Sequence, residues 1–164
     1  MGVLVDYFRA ADAAAVVRAL EASAGGSPLT ETPRAFDGVE AKNLEPVVIL
    51  GQLIAAIRQI HWRVDLVQET SVWPTSPKPG PDGLEDEDDP WATGPWAAEL
   101  HPLVRDTLAA VRDVDLPAVV ARWAQAAELR GAGAAELLPV ATELVALARR
   151  AREADEQLYW WACV

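Results

Sequence analysis

One cysteine and two histidines stand in a chain of 164 residues, and each scarcity closes a class of structure or function. Cys163 alone cannot form an internal disulfide, so no disulfide scaffold holds the fold. A zinc centre would need further ligands around His61 and His101, and no zinc motif supplies them; no metal or cofactor is expected. Basic residues are also short, 14 Lys and Arg against 25 Asp and Glu, for a formal charge of −11. That balance argues against a nucleic-acid phosphate surface; it favours a basic partner or simply keeps the chain in solution. No Gly-rich phosphate loop, nucleophile elbow or metalloprotease helix occurs. The longest apolar run, around residues 47–57, falls short of the roughly 20 residues that span a bilayer. With no charged and apolar leader at the start, a cytoplasmic protein without a membrane anchor is the expectation.

What the chain does have is helix. Residues 43–62 carry an apolar stripe of Val47, Leu50, Ile54 and Ile57, flanked by Val48, Ile49, Leu53 and Ile60. Asn43 is placed to cap it, with Glu45 and Pro46 suited to a first turn. A helix apolar on all sides belongs at the centre of a core. Gly51 within it costs about 1 kcal/mol relative to alanine, which predicts a second backbone crossing there. His61-Trp62-Arg63 ends the segment, where positive charge suits the helix dipole.

Elsewhere the periodicity predicts a strand over residues 3–8 and a helix over 12–22 with Val16, Val17 and Leu20 inward. A short strand is possible within 64–72. Further helices are predicted over 97–112, from a cap at Asp115 onward, and over 135–157. Residues 158–163 read as an aromatic strand covered on both sides. The expected fold is therefore α+β: a mainly helical single domain of about five helices, with a small sheet pairing strand 3–8 with strand 158–163.

Residues 74–95 are the unusual stretch, rich in proline and carrying the run Glu85-Asp86-Glu87-Asp88-Asp89. This composition predicts a long loop within the domain, its ends pinned by Trp73, Trp91 and Trp96 while its middle moves. The acidic run lacks the alternating acids and the glycine of a calcium loop. Asp6, flanked by aromatics in the first strand, is either a ligand-binding carboxylate or a wet residue at a sheet edge. Candidate binding residues are thus Asp6, Trp62, Trp73, Trp91 and Trp96 with the five acids 85–89; no catalytic residue is assigned.

At its two ends the chain resembles the YfbM-like family of small bacterial proteins. The likeness rests on Met1-Gly2 leading into a strand with Tyr7-Phe8 and then a helix, and on a long helix with Leu144, Leu147 and Ala151 running into a terminal aromatic strand. The resemblance implies a compact α+β domain with no assigned activity, and it carries over no functional residue. Two functions follow as expectations. The first is a non-enzymatic protein-binding or regulatory module, such as an immunity-type protein, that meets a basic protein. The alternative is a small-molecule or carbohydrate-binding protein, or a hydrolase, with a cleft beside the Trp-rich loop. A homodimer contact on that loop is a further possibility.

Overall fold

A computed structural model describes residues 2–83 and 88–164. The chain runs β1 (Leu4–Ala10), α1 (Ala13–Ala22), β2 (Gly38–Glu40) and a π-helical turn Pro46–Leu50 that continues into α2 (Gly51–Arg58). Then come β3 (Glu69–Trp73), the one-turn α3 (Pro90–Thr93), β4 (Trp96–Leu100), α4 (Pro102–Ala109) and α5 (Leu116–Trp123). A 3-10 turn at Ala127–Leu129, α6 (Ala134–Glu153) and β5 (Gln157–Cys163) complete the order.

The five strands form one antiparallel sheet in the order β2-β1-β5-β4-β3. Among the described residues, 42% are helical and 17% are strand, which corrects the expected mainly helical domain with a small two-strand sheet. The chain ends do pair, from Leu4 opposite Cys163 to Ala10 opposite Gln157, but β5 also pairs with β4 along its other edge. Its composition explains its central place. Leu158 and Ala162 join the larger core under α2, α4, α5 and α6, while Tyr159 and Trp161 on the other face meet Phe8, Val16, Leu20 and Leu29. A strand apolar on both faces is stable only where both are covered.

The segment 43–62 is not the centre. Val47, Val48, Ile49 and Ile57 stay half-exposed, whereas Ala141, Leu147, Ala148 and Ala151 of α6 are fully buried between the sheet, α4 and α5. Glu45 caps the π turn, accepting from Val47 N at 2.8 Å and Val48 N at 2.7 Å, while Asn43 is left-handed at φ 66°. The helical turn starts two residues later than an Asn43 cap requires, and the Glu45 carboxylate takes its free N–H groups. The turn's carbonyls at Val47 and Ile49 accept indole N–H groups from Trp62 at 3.2 Å and Trp123 at 3.0 Å. At Gly51 the close neighbour is a side chain, not a backbone: an added Cβ would sit 2.7 Å from Trp62 Nε1. The helix ends on left-handed Gln59, so exposed His61 lies beyond it and caps nothing.

Residues 97–112 are not one helix. Ala97–Leu100 belong to β4, and His101-Pro102 divides the segment, because a residue before proline avoids helical backbone. His101 Nδ1 then caps α4 by accepting from Leu103 N at 3.3 Å. Asp115 starts α5 without a side-chain cap bond, its carboxylate being held by Arg112 at 2.6 Å. Among the described residues, no helix is long and apolar enough to cross a membrane.

Candidate functional site

β3 and β4 form one end of the sheet, and Lys78 and Trp91 of the proline-rich segment lie beside it. Register places Ser71 opposite Ala98 and Trp160 opposite Ala98 on the next strand over, so these residues share a face with Glu69 and Trp96. Against that face sit Lys78 and Trp91, leaving a cleft of about 240 Å³. Its walls hold Trp73, Trp91, Trp96 and Trp160, four of the chain's seven tryptophans, with Glu69, Ser71 and Lys78 as the polar groups.

Three of the four indoles are held by their N–H groups. Trp91 Nε1 donates to the carbonyl of Ser76 at 3.2 Å and to its hydroxyl at 3.1 Å, Trp96 Nε1 to the carbonyl of Trp91 at 3.1 Å, and Trp160 Nε1 to Glu69 Oε2 at 2.8 Å. Trp73 lines the cleft and also packs on the Phe8 and Leu20 core. Asp89 accepts from Trp91 N at 2.8 Å as the cap of α3, which sets the backbone that carries Trp91. Lys78 Nζ lies 5.9 Å from the Trp91 ring centroid, within reach of a cation–π contact. The Glu69 carboxyl is raised above its ordinary range, first by crowding protein atoms that strip water from it. The Trp160 N–H opposes that shift, nearby Glu45 adds to it and Lys78 opposes it.

The expected site residues separate accordingly. Trp73, Trp91 and Trp96 do converge, and Asp89 supports them. Trp62 lies against Gly51, outside the cleft. Asp6 is neither exposed nor at an edge: it is 6% exposed on β1, between β2 and β5, and accepts a hydrogen bond from the Ser27 hydroxyl. Burial raises its carboxyl, against the Ser27 bond, with Glu40 adding and Arg34 opposing. Asp6 is therefore an internal tie between β1 and the Ser27 loop and does not line the cleft. Asp88 is exposed, and Glu85, Asp86 and Glu87 lie outside the described residues.

Glu69, Ser71, Lys78 and Trp160 were not singled out in the sequence. The two-residue period of Glu69 and Ser71 was a usable signal once 69–73 is a strand, since it brings both to one side; the register shift between Ser71 and Trp73, which pairs Trp73 with Ala97, was not visible in it. Trp160 was hidden among the packing aromatics of β5.

Other concavities, of about 190, 340 and 480 Å³, ring the end of α2. Their arginines are largely committed: Arg63 to Asp65 at 3.2 Å, Arg112 to Asp115 and Arg122 to the Ala56 carbonyl at 3.1 Å. The cleft is the better candidate because its aromatics and its carboxylate converge on one space. Among the described residues, no three His, Cys, Asp or Glu side chains are grouped to hold a metal ion.

Sheet, helical layer and cleft together define an α+β domain with an aromatic-walled recess at one end of an antiparallel sheet. No protein-family model matches the chain, and no curated protein or solved structure matches it either.

Proposed function

We propose that this chain is a non-enzymatic protein-binding module, that its contact face is the tryptophan cleft, and that its partner is basic. The observation that carries this reading is the gathering of four half-buried tryptophans around one carboxylate on a chain of charge −11. Tryptophan is the residue most concentrated where partner proteins bind tightly, and net charge of one sign speeds encounter with the other. The cleft's 240 Å³ is below the roughly 300–1,000 Å³ of pockets that enclose whole small molecules, and it suits one or two side chains of a larger partner. A hydrolase has less support, because Glu69 is the one carboxylate among the described lining residues and sugar cleavage ordinarily takes two. A protector against a basic toxin is one concrete form of such a module.

The test uses the full chain and its Trp91→Ala variant as baits in cell extract, with circular dichroism to confirm that both are folded. A partner retained at low salt by the parent chain, lost at 1 M salt and reduced by more than about tenfold by Trp91→Ala is the expected result. Recovery of the same polypeptides by both baits refutes the cleft as the contact face.

A further inference from the structure

We infer that the cleft receives an arginine side chain, and that Lys78 is the internal competitor that rests on Trp91 until the partner's guanidinium replaces it. This inference rests on the proposed binding role and narrows it to one chemical group.

The argument turns on what the cleft has left to offer. The N–H groups of Trp91, Trp96 and Trp160 all donate to protein acceptors, and that of Trp73 is turned towards Gly25. A ligand therefore meets ring faces rather than ring donors. Among the described residues the ring stacks are Phe8 on Phe36 and Phe8 on Tyr159, which lie on the sheet's other side, so the cleft's indole faces are not spent on one another. Ring faces carry the negative part of the aromatic quadrupole. Beside them Glu69 offers carboxylate oxygens, of which one accepts from Trp160 and the other has no donor among the described residues. The donors in the lining are the Ser71 hydroxyl and the Lys78 ammonium, and Lys78 is itself a displaceable cation; the ring faces and the carboxylate around them favour a cation over an anion.

The protein already places a cation there. Lys78 is exposed, its ammonium is near the outer limit of a cation–π contact, and it is felt by Glu69. So loose a contact yields to a better one. Guanidinium is the better one: it is flat, weakly hydrated, stacks on indole and presents a fork of N–H groups to a carboxylate. The cleft volume accommodates such a side chain while the rest of the partner stays outside.

The experiment follows the indole N–H signals of the ¹⁵N-labelled full chain during titration with Nα-acetyl-arginine N-methylamide, and separately with its citrulline counterpart, which has the same shape without the charge. Trp62 and Trp123, away from the cleft, serve as internal controls. The expected result is movement of the Trp91 and Trp160 signals by the arginine probe, and binding at least about tenfold weaker for citrulline, one lost charged hydrogen-bond set. Lys78→Met should tighten the arginine probe about two- to fivefold, as removal of an exposed cation–π competitor implies, and Glu69→Gln should weaken it. Equal binding of citrulline, or an arginine probe that Lys78→Met loosens or leaves unchanged, overturns the inference and leaves the Trp91→Ala capture result standing. Absence of any movement at the cleft with the arginine probe overturns it too, and the binding role is then judged by capture alone.

Discussion

Gly51→Ala sets two effects of known size against each other. Alanine in place of glycine inside a helix contributes about 1 kcal/mol of stability. Here the new methyl group would sit 2.7 Å from Nε1 and 3.2 Å from Cδ1 of Trp62, so the indole must leave. Its departure removes the bond to the Val47 carbonyl, worth about 0.5–1.5 kcal/mol, and re-exposes a strip of ring whose burial is worth about 1 kcal/mol. The losses win, and the variant should be less stable by about 0.5–1.5 kcal/mol. In a Trp62→Ala background the obstruction is gone, and the same change should stabilise by about 1 kcal/mol. Urea unfolding of the four proteins measures the difference. With a slope of about 2 kcal/mol per molar, the midpoint should fall by about 0.25–0.75 M in one background and rise by about 0.5 M in the other. An equal rise in both backgrounds would show that Trp62 does not occupy the space over Gly51, and would refute the reasoning.

The carboxylates should respond to pH with opposite signs. Asp6, raised by burial, contributes stability that is complete below its unfolded pKa near 3.8 and lost as pH climbs through the raised folded value; Asp6→Asn should therefore gain on the parent chain between pH 3 and 7, and a pH-independent difference in urea midpoints would count against this. Asp37, lowered by Arg150 foremost and by Arg9, gives stability that is complete above 3.8 and lost as pH falls through its lowered value. Its bonds to Arg150 and Arg9 at 2.7 Å are partly open to solvent, so after screening Asp37→Asn should cost about 1 kcal/mol at neutral pH, and less in 1 M salt. Trp160→Phe deletes the donor that holds the Glu69 carboxyl down, so that carboxyl should titrate at higher pH when followed by ¹³C NMR; an unchanged midpoint would mean that the bond is not made in solution.

The faces of β1 were legible from alternation, Val5 and Tyr7 against Asp6 and Phe8, whereas the all-apolar run of β5 told only that both faces are covered, and the structure sorts Leu158 and Ala162 from Tyr159 and Trp161. The helical stripes of α1, α5 and α6 were legible from the 3.6-residue repeat, with Val16, Leu20, Val119, Val120, Leu144 and Ala148 all buried, although Val17, expected inward, is half-exposed. What failed was ambiguity between periods. Leu100, Val104, Leu108 and Val111 fit a helix repeat, so β4 vanished into α4, although Pro102 already argued for a break. With β4 unseen, β3 had no partner, the sheet shrank to two strands and its centre was assigned to the apolar segment 47–57. The cleft suffered likewise. Trp73, Trp91 and Trp96 could be picked out by composition, but Glu69 and Trp160 join them only through the β3–β4–β5 register, a long-range fact that no local pattern contains. Asp6 was misplaced because its Ser27 partner is 21 residues away and nothing in the sequence couples them.

With β5 in the middle of the sheet, synthesis leaves the fold waiting. Until residues 157–163 have emerged from the ribosome, β1 with β2 and β3 with β4 are two separate ribbons, and a lone two-stranded ribbon is marginal in water. All of residues 4–163 must be made before Leu4 can meet Cys163, so until then a nascent chain exposes the open edges of β1 and β4.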